Sequence, residues 1–360
     1  MQMSEIMIGA MRFKDRRSAV ATVRAAIDAG FNYIDCSPCY CFKSETENSE
    51  TWVGEAINHP QYRSKIMVSA KCTVGNGGMG IGEFEPAEGF GVRTAAQLKQ
   101  VFDQSRKRLG VERFDYYHLW TTHTDEQFAE AFKPGGWWDG LKQYRQYWDH
   151  LGITTHADSK TIIRFLETGR FETVTIPLNV INTTRLDVVA YCRQKGITVI
   201  AMNPFAGGFL AAHERLKELA LRFLLLLDGV RPLIGFSAVS DVEYARGILD
   251  SMPACGMSVD SIRDEVNSLI NAAEPRCTAC GYCQPCPQGI NVGASLSYYN
   301  LYKYMGLKEA RKAFNEKQWE DGLRLDRCVA CGECESRCPN GLKTVAIIKD
   351  AKRMLYNKQN

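Results

Sequence analysis

Two short cysteine runs near the C-terminus limit what this chain can fold into more than any other feature: Cys277-x2-Cys280-x2-Cys283-x2-Cys286-Pro287 and Cys328-x2-Cys331-x2-Cys334-x3-Cys338-Pro339. A 4Fe–4S cube takes thiolates from several directions. Three come from one tight loop and the fourth from a distant point, which in two-cluster proteins is the other run. The spacing therefore assigns Cys277, Cys280, Cys283 and Cys338 to one cluster, and Cys328, Cys331, Cys334 and Cys286 to a second. The competing reading is a pair of structural zinc sites, because four thiolates also hold zinc tetrahedrally. Zinc sites more often use two separated cysteine pairs, whereas each run here packs four cysteines into about ten residues closed by proline. The first run departs from the commoner pattern in having two residues, not three, before its last cysteine.

At 360 residues the chain has room for a domain of about 250 residues and another of about 100, each with its own core. The boundary is expected near residue 257, giving domains 1–257 and 258–360. The net charge is +3, with no basic block of the kind that tracks phosphates, so nucleic acid is not an expected partner. The N-terminus lacks a basic segment followed by an apolar one, and the longest apolar run, Phe223 to Leu227, is far too short for a bilayer. A soluble protein is expected, with no membrane partner. Cluster thiolates must stay reduced, which places it in the cytoplasm.

From Glu5 to about Asp250, short β-rich runs alternate with amphipathic stretches. Candidate strands are Ile6 to Ile8, Tyr33 to Cys36, Ile66 to Ala70, Phe114 to Trp120, Gly152 to Thr155, Val174 to Leu178, Thr198 to Met202 and Leu233 to Phe236. Eight strands, each followed by a helix, predict a closed parallel (β/α)8 barrel of the α/β class, a TIM barrel, with its chemistry on the loops after the strands. Trp137, Leu141, Tyr144, Trp148 and Leu151 recur at helical spacing and predict one helix. The glycine-rich segment from Val74 to Gly91 has no Gly-Lys-Ser/Thr ending, so it reads as a lid over the barrel mouth and not as a phosphate loop. Beyond Met252 the pattern turns helical: Val259 to Ala272, Val292 to Lys317, and a last helix from about Leu342. An α-helical module around the clusters is expected, packed by Tyr298, Tyr299, Tyr302 and Tyr304.

Several barrel segments jointly resemble one family. Phe31-Asn32-Tyr33-Ile34-Asp35-Cys36-Ser37-Pro38-Cys39-Tyr40 is similar to the aldo-keto reductase signature, with an Asp ending strand two and a Tyr five residues on. Asn48 to Ala56 resembles the next helix, Met67 to Lys71 the strand ending in Lys, Arg108 to Tyr116 the entry to strand four, and Asn203 to Leu210 the turn after strand seven. The resemblance spans roughly residues 4 to 250. With the appended cysteine runs, the chain looks like the iron–sulfur branch of that family, which carries a C-terminal ferredoxin-like domain. It implies hydride transfer between NADPH or NADH and a carbonyl or alcohol on a small-molecule substrate. A phenol has an ordinary pKa of about 10 and must be made more acidic to donate near neutral pH. The resemblance casts Tyr40 as that acid, Lys71 as the ammonium beside it, and Asp35 as the group that keeps Lys71 charged and oriented.

The family's carbonyl-orienting His has no match, since its position holds Trp120. His118 lies two residues earlier on the same strand face, ~7 Å deeper, and His123, on the following loop, is the nearer candidate. Thr175 stands where a Gln is usual and Met202 where a stacking Tyr is. Thr154, Thr155 and Asn179 remain for a carboxamide, backbone near Gly207, Gly208, Ser237 and Ala238 suits phosphates, and Arg246 is the substitute for the basic residue that holds a 2′-phosphate. Cys36, Cys39, Cys41 and Cys72 flank the expected acid. Alternation buries Cys36 and Cys72, leaving Cys39 and Cys41 as the functional candidates.

The leading expectation is an aldo-keto-reductase-type oxidoreductase whose two clusters are structural, sensing or electron-transferring, the last with an electron-transfer protein as partner. Hydride moves two electrons and a 4Fe–4S cluster one, so the clusters do not simply relay hydride. A second reading takes Trp120 seriously: a redox-neutral isomerase, dehydratase or lyase, or a reduction fed by the clusters. A third is an electron carrier whose barrel docks a partner, against which Asp35, Tyr40 and Lys71 argue.

Overall fold

The computed structural model describes residues 1–74, 91–270, 276–317 and 322–356. The expected lid, residues 75–90, lies outside them. The chain divides into two compact units, one ending near Met257 and the other beginning at Ser258, with Phe205–Ala220 grouped with the second.

In the first unit a parallel sheet closes on itself. Its barrel strands are β1 (Met7–Gly9), β2 (Tyr33–Asp35), β3 (Met67–Val74), β4 (Phe114–Trp120), β5 (Trp148–Thr154), β6 (Thr173–Pro177), β7 (Thr198–Met202) and β8 (Val230–Gly235). Strand β1 pairs with both β2 and β8, and β2 pairs with β3, which closes the ring. A two-residue strand, Gly91–Val92, pairs in parallel with the last residues of β3, Thr73 and Val74. Helices between the strands begin on side-chain caps. Asp15 caps Arg16–Asp28, Asn48 caps Ser49–Ile57, and Thr94 with Gln97 forms a reciprocal box before Ala95–Leu109.

Two expectations are corrected here. The helix over Trp137, Leu141, Tyr144, Trp148 and Leu151 is two elements: a helix, Trp137–Lys142, and β5, joined by a short turn. Trp148 Nε1 donates to the Leu141 carbonyl across that turn at 3.2 Å, so both elements face one core and mimic a single helical stripe. Strand β3 runs on to Val74, placing Lys71 mid-strand and not at its end.

The barrel interior is unusually polar. His118, fully buried, lies 3.3 Å from the Tyr33 hydroxyl on β2, 3.3 Å from Thr173 Oγ1 on β6 and 3.1 Å from Thr154 Oγ1 on β5. Only a side chain inside the ring reaches those strands from β4. Gly152 makes the room, since a Cβ there would stand 2.5 Å from the His118 ring.

The second unit is α-helical, as expected. Helices Val259–Leu269, Val292–Met305, Lys308–Lys317 and Thr344–Leu355 carry it, around a core that includes Leu296, Tyr299, Phe314, Ile348 and Leu355. Tyr298, Tyr302 and Tyr304 pack partly buried against this core. No helix among the described residues is long and apolar enough to cross a membrane.

Candidate functional site

Strands β2 and β3 bring the first charges together. Asp35 pairs in register with Ser69, two residues before Lys71 on the same face, and Lys71 Nζ bonds Asp35 Oδ2 with both side chains buried. Burial pushes the Asp35 carboxyl up and the Lys71 ammonium pulls it back. The turn after β2 then returns Tyr40, whose N–H donates to the Ser37 carbonyl, and Lys71 Nζ lies 4.8 Å from the Tyr40 ring centroid. Trp120, at the end of β4, forms the adjoining wall: it meets Tyr40 edge-on at 6.0 Å and has Lys71 Nζ 5.4 Å from its ring.

The three expected residues thus converge, although not in the expected electrostatic sense. The Tyr40 phenol is pushed well above its ordinary value, by burial first and by the Asp35 carboxylate second, while Arg12 pulls the other way. The ammonium is held by Asp35 and sits over the ring face, so Tyr40 is a protonated phenol throughout the neutral range.

Neither histidine is a free acid. Burial lowers His118 to about 3 and His123 to about 4. His118 is held among three barrel hydroxyls, and His123 Nδ1 accepts from the His156 backbone N–H at 3.1 Å. Burial raises the thiols of Cys39, Cys41 and Cys72 as well. Burial raises Cys39 to about 11 and Cys72 to about 12, and Cys41 donates to the Met11 and Phe13 carbonyls.

The cofactor expectations divide. The Thr154 hydroxyl turns inward to His118, the Thr155 hydroxyl donates to the Thr122 carbonyl, and the Asn179 amide ties Asn203 to Ile181. Thr175, discounted from sequence, has a buried hydroxyl with no hydrogen-bond partner among the described residues, on the interior face it shares with Thr173. Ser237 N, Ser237 Oγ and Ala238 N all donate to Asp241 Oδ2, at 3.0, 2.8 and 3.2 Å. The start of helix Val239–Ser251 thus already closes on an oxyanion, the chain's own carboxylate. Gly207 and Gly208 belong to the 205–220 segment, where a Cβ on Gly207 would stand 2.3 Å from the Thr278 carbonyl. Arg246 is not brought to the others: it pairs with Asp250 and donates to the Ala29 carbonyl, on the side where β2 begins. Sequence reasoning missed Arg12, which has no motif to mark it.

In the second unit the two cysteine runs fold alike. Ala279 and Gly281 flank Cys280 at φ 51° and 85°, and Ala330 and Gly332 flank Cys331 at φ 58° and 82°. Left-handed residues at matching positions turn backbone N–H groups into a concave nest of the kind that holds iron–sulfur clusters. Cys280, Cys283 and Cys338 act electrostatically on Cys277, and Cys328, Cys286 and Cys331 on Cys334, while Cys334 also acts on Cys283. A cavity lined by Cys283, Cys286, Cys328, Cys331 and Cys334 has apolar walls that include Ile290 and Ile348. Among the described residues no three His, Cys, Asp or Glu side chains gather at the spacing of a single ion.

The sequence profile of the Aldo/keto reductase family matches residues 5–241. The chain belongs to the aldo/keto reductase family. A 4Fe-4S dicluster domain matches residues 276–342, so this oxidoreductase carries an iron–sulfur domain. It is 26% identical over 291 residues to L-galactose dehydrogenase of Arabidopsis thaliana, covering 70% of this chain and 84% of that one. An uncharacterized oxidoreductase of Schizosaccharomyces pombe is 27% identical over 272 residues, 69% of this chain and 77% of that one. Among solved structures, a holo-form aldo-keto reductase of Bacillus halodurans superposes with a TM-score of 0.59 at 20% identity, over 74% of this chain and 92% of that one. A Klebsiella pneumoniae aldo-keto reductase in complex with NADPH gives 0.57 at 17%, over 76% and 92%. These two likenesses establish the barrel fold.

Proposed function

We propose that this aldo/keto reductase moves a hydride between a nicotinamide cofactor and a carbonyl or alcohol, with Tyr40 as proton donor and acceptor and Asp35 and Lys71 as its electrostatic support. The observation that carries this reading is the convergence of a buried Asp35–Lys71 pair on the Tyr40 ring inside a barrel. Bound nicotinamide supplies the hydride and is left oxidised. As hydride reaches the carbonyl carbon, the oxygen becomes an alkoxide, a stronger base than a phenolate, and Tyr40 Oη gives it a proton. Solvent then returns the proton to the phenolate, with the Asp35–Lys71 pair packed against the ring. The unpartnered Thr175 hydroxyl suits a carboxamide, and the Ser237 and Ala238 donors suit a phosphate that displaces the Asp241 carboxylate.

For the second unit we propose two 4Fe–4S clusters, one on Cys277, Cys280, Cys283 and Cys338, the other on Cys328, Cys331, Cys334 and Cys286. The paired left-handed loops and the crossed grouping of thiols support this ligand set. Anaerobically purified protein is expected to hold about eight irons per chain; about four would leave one run without a cluster.

Trp120 favours a second reading, because it fills the wall where the family orients a carbonyl oxygen. In that reading Tyr40 serves a redox-neutral elimination or isomerisation. Anaerobic assays separate the two: carbonyl-dependent loss of NADPH absorbance supports hydride transfer, and turnover without nicotinamide supports the alternative.

A further inference from the structure

The segment Met11–Phe13, between β1 and its helix, is fixed on two sides of the mouth. On one side the Cys41 thiol, next to Tyr40, donates to the carbonyls of Met11 and Phe13 at 3.6 and 3.5 Å. On the other, the Arg12 side chain lies across Gly235 at the end of β8, where a Cβ would stand 2.6 Å from Arg12 Cγ. Any other residue at 235 would push Arg12 away, so the glycine and the arginine form one arrangement. The guanidinium is exposed, and among the described residues no carboxylate pairs with it. Its charge is nevertheless felt at Tyr40. The other cation near Tyr40, Lys71, is ion-paired with Asp35. Among the described residues, Arg12 is thus a positive charge without an ion-pair partner on the segment that Cys41, next to Tyr40, pins in place.

We propose that Arg12 selects the substrate: the barrel takes carbonyl compounds that carry a carboxylate, and Arg12 binds that carboxylate while the carbonyl faces Tyr40. A guanidinium forks onto a carboxylate through two parallel N–H bonds, which sets orientation as well as affinity. This deepens the hydride-transfer reading and rests on it.

The test compares para-carboxybenzaldehyde with its methyl ester, using anaerobic holoenzyme and NADPH. In wild type the acid has the higher kcat/KM, and in Arg12→Gln the acid-to-ester ratio falls about 10- to 100-fold, chiefly through KM. Arg12→Lys, which keeps the charge without the fork, recovers part of the ratio. An unchanged ratio in Arg12→Gln overturns the proposal. So does an unchanged ratio with weakened NADPH binding, which assigns Arg12 to a nucleotide phosphate instead. Where wild type consumes no NADPH with either compound, the hydride-transfer reading fails by itself, and quenching of tryptophan fluorescence by para-carboxybenzaldehyde decides the site. Weaker binding in Arg12→Gln upholds the carboxylate site, and equal binding overturns it.

Discussion

The two units build their sites by opposite means. The barrel holds Asp35, Lys71, Tyr40 and Trp120 in place with its own strands, ion pair and ring contacts, so its site stands without any added group. The cysteine unit gathers thiols that burial pushes up, Cys277 and Cys283 to about 12 and Cys334 to about 11. Such groups need a metal to take the place of their protons, and binding then becomes part of folding. A preformed site tolerates loss of its ligand, whereas a site made of thiolates does not.

Chelating the iron is the most forceful way to break this comparison. It should unfold the helices of the second unit and leave the barrel folded, read as protease cleavage confined to residues beyond about Ser258. Cleavage spread through the barrel would remove the distinction. Next in size is Tyr40→Phe, expected to lower kcat about 10²- to 10⁴-fold with the iron content unchanged, measured on the same anaerobic sample.

Lys71→Met should destabilise the barrel by about 3–5 kcal/mol in denaturant titration, because it strands a buried Asp35 carboxylate. Combining it with Asp35→Asn should cost less than the sum of the single changes. An additive result would deny the pair.

The smallest expected effects concern pH. Reduction needs the Tyr40 proton, which the raised phenol keeps through the neutral range. The rate should therefore stay flat across that range and fall only above about pH 10, while alcohol oxidation rises with pH. His118 is held neutral in the fold at about 3 against an ordinary 6.5. Its contribution to stability is complete above the ordinary value and drains away as pH falls from about 6.5 toward 3, because the unfolded chain takes up the proton first. Acid unfolding of His118→Gln should accordingly lose part of its slope in that window.

All eight barrel strands were legible from β-rich runs, because strands buried on both faces announce themselves as short apolar stretches. The Trp137–Leu151 stripe misled because hydrophobic spacing reports which residues share a core and not which element carries them. Asp35, Lys71 and Tyr40 were readable from the family resemblance, although the structure places Lys71 in mid-strand and not at a strand end. Thr175 was not, because its importance is a missing hydrogen bond, which only coordinates reveal. Arg12 escaped for a similar reason: an exposed arginine is ordinary until the glycine beneath it and the thiol pinning its loop are seen. The raised Tyr40 phenol also had no sequence signal, since it depends on how deeply the ring is buried and on where Lys71 directs its charge.

The most direct test follows NADPH absorbance in a single turnover, with excess anaerobic enzyme and an aldehyde, for wild type and Tyr40→Phe. The account predicts one NADPH oxidised per alcohol formed in wild type, and a rate lower by about two orders of magnitude or more in Tyr40→Phe. Equal rates in the two proteins, or alcohol formed without loss of NADPH, would contradict it.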